Sequence, residues 1–400
     1  MAETGAWRSE DWWVSPFDFE GGVKPPVDRR VEFHDATLRD GEQTPGVVFR
    51  KDEKVRIAAK LAEAGVQRIE AGMPAVSDED AQAIKEIVKM NLGSKIYAFC
   101  RATKGDIDKA VECGVSHVVI ESPSGVPKIK YQLGWTEEEA IERAVKAVSY
   151  AKDQGLNVCF FPFDTTRADM GFLRRLVDIV MAQGKPDSMA VIDTTGCASP
   201  AAVRWLVSRV KSWVDIPIEV HTHNDLGLAT ATSVAGVEGG AGVIHVCVNG
   251  LGERTGNASL DEVALVLKLL YGVETGLDFQ QLSSLSKLVE DLSRIKLARN
   301  KPVVGESAFM REIGLGMEVV YKMPLAVFPY KPEVVGQQIH VVLGKKSGKE
   351  SISVKARELG VEIPEEMIGA VLDGVKRLGT QKKACLTDEE FLDLVKKVRG

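Results

Sequence analysis

The sequence lacks the features that would place the protein in a membrane, on a nucleic acid or in an oxidising compartment. It contains no apolar run near the roughly 20 residues that a transmembrane helix needs. Its net charge at pH 7 is −6, which argues against a nucleic-acid partner. The six cysteines show no CxxC spacing, and the acidic, tryptophan-rich N-terminus is unlike a signal peptide. These absences predict a cytoplasmic protein with reduced thiols and no membrane partner.

The length and the pattern of apolar residues indicate the fold. Hydrophobic residues make up 44% and charged residues 27% of the 400-residue chain, which is typical of a globular protein. Eight short apolar runs are predicted to be buried strands, at residues 31–36, 67–71, 95–99, 116–121, 157–161, 188–193, 217–221 and 243–247. Amphipathic helix candidates lie between them, for example at 51–64, 136–154 and 199–213. Eight strand–helix repeats predict a closed TIM (β/α)8 barrel of about 250 residues with a smaller appendage.

Two histidines one residue apart end the seventh predicted strand. Alternate residues of a strand share a face, so the side chains of His221 and His223 point the same way at the carboxyl end of that strand. Two neutral imidazoles on one face favour a divalent metal ion. The alternative is a pair of hydrogen-bonded core histidines, and the two histidines alone do not decide between these interpretations.

Two further segments supply oxygen ligands at the ends of other predicted strands. Asp40 follows the first strand with Arg39 beside it, so that a hard oxygen ligand and a fixed cation occupy adjacent positions. Asn257 follows the eighth strand in a glycine-rich loop, which allows close backbone approach. With the two histidines, Asp40 and Asn257 form a mixed oxygen and nitrogen set that is typical of a catalytic metal with open positions. Such a set suits Mn, Zn, Mg, Co or Fe, and barrel enzymes have their active sites at this end of the strands.

Three motifs resemble those of one enzyme family. They are TLRDGEQ at residues 37–43, HTHND at 221–225 and GERTGNA at 252–258. On these motifs the chain resembles the DRE-TIM metallolyases, on the synthase branch that includes isopropylmalate, homocitrate and citramalate synthases. Hydroxymethylglutaryl-CoA lyase and 4-hydroxy-2-oxovalerate aldolase are more distant relatives. The resemblance covers residues 29–272 strongly and residues 303–352 more weakly.

The resemblance implies how the chain is organised and what it binds. Residues 1–28 are expected to be an irregular lead-in, 29–275 the TIM-barrel catalytic domain, and 276–400 a C-terminal subdomain with a helical linker and a small α/β lid region. The C-terminal segment is too short for the leucine-regulatory domain of isopropylmalate synthases. The family further implies a divalent metal, acetyl-CoA or another acyl-CoA as co-substrate, a small-molecule 2-oxo acid as substrate, and a homodimer.

The resemblance also implies roles for individual residues. Arg39 would hold the carbonyl oxygen of the substrate and stabilise the enolate or alkoxide that develops there, with Gln43 in the same motif. Thr194 matches the family position whose hydroxyl binds the 2-oxo acid carboxylate. Glu70 ends an apolar strand, where a carboxylate is costly to bury unless it is paired or functional. Arg167 matches the arginine of a family Glu-Asp-x-x-Arg pattern. These five residues are predicted to bind the substrate.

The chain departs from the family at the residues that activate acetyl-CoA. Phe163 stands where the Glu of the Glu-Asp-x-x-Arg pattern is expected, and Gly316 replaces the second histidine of a family His-Glu-Ser-Gly-Ile-His segment. Neither side chain can move a proton. Phe161 and Phe163 instead suggest an apolar wall that would suit an aliphatic or aromatic substituent. The catalytic residues predicted beside Arg39 are Asp164, Glu312 and Tyr330, with Tyr321 as a further candidate.

Three functions remain open at this point. The first is condensation of an acyl-CoA, most simply acetyl-CoA, with a 2-oxo acid to give a 2-hydroxy di- or tricarboxylic acid. The second is a metal-dependent lyase or aldolase that cleaves a hydroxy acid or hydroxyacyl-CoA, because cleavage needs mainly a base for the hydroxyl and a metal to hold the enolate. The third is a non-catalytic metal-binding relative, which the intact set of Arg39, Asp40, His221, His223 and Asn257 argues against. The sequence favours the condensation.

Overall fold

A computed structural model describes residues 5–24, 27 and 30–400 of the chain. Packing divides the chain into two compact units. The larger unit is Phe17–Lys296, and the smaller unit combines Met1–Pro16 with Leu297–Gly400. Within the described ranges, no helix is long and apolar enough to cross a membrane.

Eight parallel strands form the centre of the larger unit. They are β1 Glu32–Asp35, β2 Arg68–Glu70, β3 Lys95–Arg101, β4 His117–Pro123, β5 Asn157–Phe163, β6 Ser188–Asp193, β7 Ile218–Thr222 and β8 Val243–Val246. The strands follow one another in chain order, and the sheet closes because β1 pairs with both β2 and β8. Each strand begins and ends within two residues of its predicted position. The predicted TIM (β/α)8 fold is therefore confirmed.

Helices surround the strands, and most of them are amphipathic. The helices of this unit are α1 Lys51–Glu63, α2 Asp78–Lys89, α3 Lys104–Cys113, α4 Glu137–Asp153, α5 Met170–Ile179, α6 Pro200–Lys211, α7 Ala229–Gly239, α8 Leu260–Tyr271 and α9 Leu282–Ser293. Local sequence sets where they begin. Thr136 and Glu139 form a capping box at α4, and Ser199 caps α6 with Pro200 in its first position. The three helix candidates at 51–64, 136–154 and 199–213 are thus confirmed.

The larger unit extends past residue 275, where the barrel domain was expected to end. Helix α9 buries Leu285 and Val289 and contacts α1. The side chain of Asn249 donates a hydrogen bond to the backbone oxygen of Ser286 at 3.0 Å. Helix α9 was expected to belong to the linker of the C-terminal subdomain, but its apolar contacts and this hydrogen bond make it part of the barrel unit.

The interior of the barrel contains an apolar cluster and a charged network. The apolar cluster consists of Tyr97, Phe99, Val119, Cys159, Phe161, Ala190 and Ile192. In the charged network, Arg68 Nη1 donates to Glu219 Oε1 at 2.8 Å, and His245 Nε2 lies 2.7 Å from Glu219 Oε2. The ring of His245 stacks on that of His34, with 4.1 Å between centroids. Because Glu219 is fully buried, it needs these partners to stay charged.

The smaller unit contains a two-stranded parallel sheet and four helices within its described residues. Its elements are β9 Met310–Arg311, α10 Met317–Lys322, β10 His340–Val341, α11 Lys349–Glu358, α12 Glu365–Lys382 and α13 Asp388–Arg399. Helices α11 to α13 bury Ile352, Val375 and Phe391 in one core. The irregular N-terminal segment joins this unit, because Trp13 donates its backbone N–H to Pro329 at 2.9 Å.

Candidate active site

A cavity of about 530 Å³ lies at the carboxyl ends of the barrel strands. The residues that line it include Arg39 and Asp40 after β1, Phe99 on β3, Glu121 on β4, Phe161 and Phe163 on β5, Thr194 after β6, and His221 and His223 at the end of β7. Parallel strands bring all of these ends to one face of the barrel, which is where enzymes of this fold place their chemistry.

Asp40, His221 and His223 converge on one point of this cavity. Asp40 Oδ2 lies 3.3 Å from His221 Nε2 and 3.6 Å from His223 Nε2, and the two Nε2 atoms are 3.2 Å apart. Burial lowers the pKa of His223 to about 4 and also lowers that of His221. Burial alone would raise the pKa of Asp40, but Arg39 and the histidines hold it well below its usual range. The ligands are thus in their metal-binding forms, a carboxylate and two neutral imidazoles.

Asn257 completes a donor set that fits a divalent cation. A β-bridge joins it to His223, and its side-chain Nδ2 donates to the backbone oxygen of Leu251 at 3.1 Å. Its Oδ1 is buried and finds no hydrogen-bond partner in the described part of the chain. A buried amide oxygen without a partner is costly, so its position beside three metal-type ligands is best explained by a cation. The residues present therefore fit the metal that the sequence predicts.

Arg39 is held rigidly beside this cluster. Its Nε donates to Glu70, and its Nη1 lies 3.3 Å from both Asp40 Oδ2 and Gln43 Oε1. The guanidinium carbon lies 4.0 Å from the centre of the Phe99 ring. Its Nη2 is buried and has no partner among the residues that the structure describes. An oriented N–H donor is therefore free to bind an oxygen of a ligand.

Of the other predicted substrate-binding residues, some line the cavity and one lies buried behind it. Gln43 and Thr194 line the cavity. Glu70 is fully buried and binds Arg39 and His34, the latter at 2.8 Å, so it supports Arg39 and is not among the cavity-lining residues. Although burial acts against ionisation, Arg39 and His34 lower the pKa of Glu70 to about 2. Glu70 therefore keeps its charge and orients the guanidinium.

Asp164 and Arg167 bind each other at the end of β5. Arg167 Nε and Nη2 donate to the two carboxylate oxygens of Asp164 at 2.8 and 2.9 Å. Asp164 has a φ of +65°, and neither residue is among those that line the cavity. The pair holds the turn after β5. The catalytic role of Asp164 and the substrate contact of Arg167 stay predictions.

Glu312, Tyr330 and Tyr321 belong to the smaller unit. Glu312 Oε1 accepts the backbone N–H of Lys346 at 2.8 Å. Tyr330 is buried, and its ring contacts that of Phe309 edge to face. Tyr321 is exposed and donates its hydroxyl to Glu358. Each has a local partner in that unit, and their catalytic roles stay predictions.

Glu121 was missed by the sequence analysis. It ends the apolar run Val118-Val119-Ile120 in the same way that Glu70 ends strand β2, and this signal was available in the sequence. Its half-buried carboxylate lines the cavity, and burial raises its pKa. On the next strand, Phe161 and Phe163 form part of an apolar wall, as their side chains suggested.

Comparison with known proteins identifies the family. Residues 30–289 match the HMGL-like family model, and residues 303–383 match the homocitrate synthase post-HMGL domain-like model. The chain is 38% identical to the homocitrate synthase of Methanothermobacter thermautotrophicus, over 97% of this chain and 98% of that one. It is 42% identical to the probable 2-isopropylmalate synthase of Ignicoccus hospitalis over 92% of each chain.

A third relative and a solved structure agree with this assignment. The chain is 40% identical to the (R)-citramalate synthase of Methanocaldococcus jannaschii, over 92% of this chain and 75% of that one. The crystal structure of the Bacillus subtilis HMG-CoA lyase matches with a TM-score of 0.62 at 20% identity, over 69% of this chain and 98% of that one, which shows the shared fold. The chain therefore belongs to the HMGL-like family, on the branch that contains homocitrate, isopropylmalate and citramalate synthases.

Proposed function

We propose that the protein is a metal-dependent acyltransferase that condenses acetyl-CoA with a 2-oxo acid to give a 2-hydroxy di- or tricarboxylic acid. The observation that carries this proposal is the convergence of Arg39 with Asp40, His221 and His223 in one cavity. The names of the relatives support it, because synthases of three such hydroxy acids align with nearly the whole chain.

Each part of the site has a task in this reaction. Asp40, His221, His223 and Asn257 would hold a divalent cation, which polarises the ketone of the 2-oxo acid when it is bound. The free Nη2 of Arg39 donates to the ketone oxygen and stabilises the negative charge that develops there as the new C–C bond forms. Gln43 and Thr194 bind the carboxylate end of the substrate from the same cavity.

The apolar wall restricts which 2-oxo acids fit. Met73, Phe161, Phe163 and Ile192 all line the cavity. Because these side chains offer no hydrogen bonds, this part of the cavity suits an aliphatic or aromatic substituent on the 2-oxo acid, whereas Arg101, Lys128 and Arg143 line another part of it. The metal is a divalent ion of the group Mn, Zn, Mg, Co and Fe, which a donor set of one carboxylate, one amide and two imidazoles accepts.

Thiol release tests the condensation. The purified protein, loaded in turn with each divalent metal, is incubated with acetyl-CoA and with pyruvate, 2-oxoisovalerate, 2-oxoglutarate or phenylpyruvate. We expect release of free CoA that depends on both the metal and one of the 2-oxo acids. Exhaustive chelation should abolish the release, and the metal that caused it should restore it.

A variant pair tests the metal ligands at the same time. His221→Ala should lose bound metal, measured by elemental analysis, whereas Glu112→Gln on the exposed face of α3 should bind metal and release CoA like the wild type. If no 2-oxo acid causes thiol release but a hydroxy acid or hydroxyacyl-CoA is cleaved, the protein is a lyase and the proposal is wrong. If His221→Ala keeps its metal, the ligand assignment is wrong.

The oligomeric state and the location of the protein belong to the same proposal. A homodimer is implied by the family resemblance, and sedimentation equilibrium of the full chain at micromolar concentration tests it. A cytoplasmic location is consistent with the six cysteines, none of which forms a disulfide within the described residues. Fractionation of the cells that produce the protein tests the location.

A further inference from the structure

The condensation needs a base that the cavity does not offer at the expected place. The α-carbon of the acyl thioester must lose a proton before it can attack a ketone, and a positioned side chain usually accepts that proton. At the end of β5, where the family resemblance predicts a glutamate, Phe163 lines the cavity without a titratable group. Asp164, the next residue, is bound on both oxygens by Arg167. Within the barrel, the acceptor must therefore lie on another strand.

Glu121 occupies the neighbouring strand and faces the same cavity. It pairs in register with Phe161 on β5, two residues before Phe163. Val119, two residues earlier on β4, belongs to the apolar cluster inside the barrel, and strand alternation gives Glu121 the same inward orientation. Arg39 and the histidines of the metal cluster line this cavity as well. Glu121 thus places a carboxylate on β4, next to the strand on which Phe163 stands.

The carboxylate of Glu121 is free to act. The buried carboxylates of Glu70, Glu219 and Asp164 are each held by an arginine, in the pairs Glu70–Arg39, Glu219–Arg68 and Asp164–Arg167. Glu121 forms no hydrogen bond or ion pair with any residue in the described ranges. Because a half-buried carboxylate without a partner is costly, its presence in the cavity indicates a ligand or a chemical task.

Burial keeps the carboxylate of Glu121 basic. Burial has the largest influence and raises the pKa of its carboxyl, with Asp106 and Glu70 acting in the same direction and Arg39 and Arg101 opposing them. Arg101 is itself bound by both oxygens of Asp106, at 2.8 and 2.9 Å, so its charge is largely neutralised. A carboxylate with a raised pKa accepts a proton from carbon more readily than an ordinary one.

We propose that Glu121 is the catalytic base that removes the proton from the α-carbon of the acyl-CoA, in place of the glutamate that Phe163 replaces. This inference rests on the proposed condensation. The C–H bond breaks, its proton goes to a Glu121 oxygen, and its electron pair forms the enolate of the thioester. The enolate carbon then bonds to the ketone carbon of the 2-oxo acid. Glu121 returns the proton to the resulting alkoxide, directly or through one water, and hydrolysis of the thioester releases CoA.

Kinetic isotope effects test this role. In Glu121→Gln we expect kcat to fall about 10²- to 10⁴-fold, the usual contribution of a general base, while KM for the 2-oxo acid changes much less. The isotope effect measured with methyl-deuterated acetyl-CoA should rise in the variant, because proton removal becomes fully rate-limiting. Glu121→Asp, which keeps a carboxylate, should retain an intermediate kcat. A merely structural role of Glu121 would not change the isotope effect.

A rescue variant shows whether Glu121→Gln loses activity because the carboxylate is missing or because the fold is disturbed. The double variant Glu121→Gln/Phe163→Glu restores a carboxylate on β5 and should recover at least tenfold in kcat over Glu121→Gln. Thermal unfolding and bound-metal content should match the wild type in every variant. Glu112→Gln on the surface of α3 is the matched control and should keep full activity.

The outcomes distinguish this inference from the proposed function. A wild type that releases CoA and a folded, metal-bound Glu121→Gln that is equally active would overturn the role of Glu121 and leave the condensation intact. An unchanged isotope effect in a slow Glu121→Gln would overturn it as well, since the residue would then act on another step. A wild type without any 2-oxo acid-dependent thiol release would instead contradict the condensation itself.

Discussion

The side-chain amide of Asn257 occupies the space that a side chain at position 252 would need. A Cβ on Gly252 would lie 2.1 Å from Asn257 Nδ2 and 3.0 Å from Asp40 Oδ1, and Gly252 has a φ of +150°. Only glycine allows this backbone conformation and this approach at the same time. The missing side chain therefore lets two of the proposed metal ligands come together.

Gly252→Ala should weaken metal binding. The added methyl group would displace the amide of Asn257 and press on Asp40, so we expect at least a tenfold loss of metal affinity and a parallel loss of activity at limiting metal. Isothermal titration with Mn²⁺ or Zn²⁺ measures the affinity. Gly105→Ala on α3, where a Cβ meets nothing within 4 Å, is the control and should bind metal normally. Equal affinities for the two variants would contradict the proposed ligand set.

Arg39→Lys should lower activity although the charge is kept. A lysine cannot bind Glu70, Asp40 and Gln43 together and still offer a directed donor to the substrate, because only the guanidinium has donors in a rigid fork. We expect kcat to fall about 10²- to 10³-fold, comparable to the loss of an oxyanion donor. Steady-state thiol release measures it, and the exposed Arg174→Lys on α5 serves as the control. A loss of less than threefold would show that Arg39 does not stabilise the developing charge.

Arg68→Met should destabilise the barrel strongly. It would leave the fully buried Glu219 without the guanidinium that now lies 2.8 Å away, and an uncompensated buried charge costs about 3–5 kcal/mol. Urea denaturation gives the free energy of unfolding. The double variant Arg68→Met/Glu219→Gln should recover part of the loss, because no charge remains to be compensated. If the double variant is no more stable than Arg68→Met, the unpaired charge of Glu219 is not the cause of the destabilisation.

Glu70 should make the stability of the barrel depend on acid pH. Its pKa is lowered from the usual 4.5 to about 2, so the native state holds the carboxylate form more strongly than the unfolded chain does. The stabilisation is present above pH 4.5 and is lost as the pH falls towards 2, by a total on the order of 3 kcal/mol.

The free-energy difference between wild type and Glu70→Gln should therefore be largest above pH 5 and shrink on acidification to pH 3. Denaturant unfolding in the presence of a chelator measures this difference without interference from metal release. A difference that stays constant over this pH range would mean that the carboxylate of Glu70 is not stabilised by Arg39 and His34 in the native state.

The strands and the convergence of the proposed metal ligands could be predicted because both depend on local pattern. Each strand is a short apolar run between turn residues, and a parallel barrel brings all carboxyl strand ends to one face. Asp40, His221, His223 and Asn257 each follow or end such a run, so their convergence needs no knowledge of the exact register. The three motifs predicted the family of the chain, and the comparisons confirm it.

The partners of the acidic residues could not be predicted in the same way. Glu70 and Glu121 both follow buried apolar residues on their strands, yet Glu70 is bound by Arg39, whereas Glu121 faces the cavity and has no partner among the described residues. Asp164 and Arg167 match a family pattern, but in the structure they bind each other. The partners of Glu70 and Glu121 depend on how neighbouring strands and their loops are placed, and the periodicity of a single strand does not contain that information.

The sequence by itself determined the number and order of the strands, the face on which the histidines lie and the family of the chain, because these follow from periodicity and from contiguous motifs. Only the tertiary structure decided which carboxylates are paired with arginines and that Glu121 faces the cavity. The reason is that ion pairs such as Arg68–Glu219 join residues from strands far apart in the chain, and only closure of the barrel brings them within hydrogen-bonding distance.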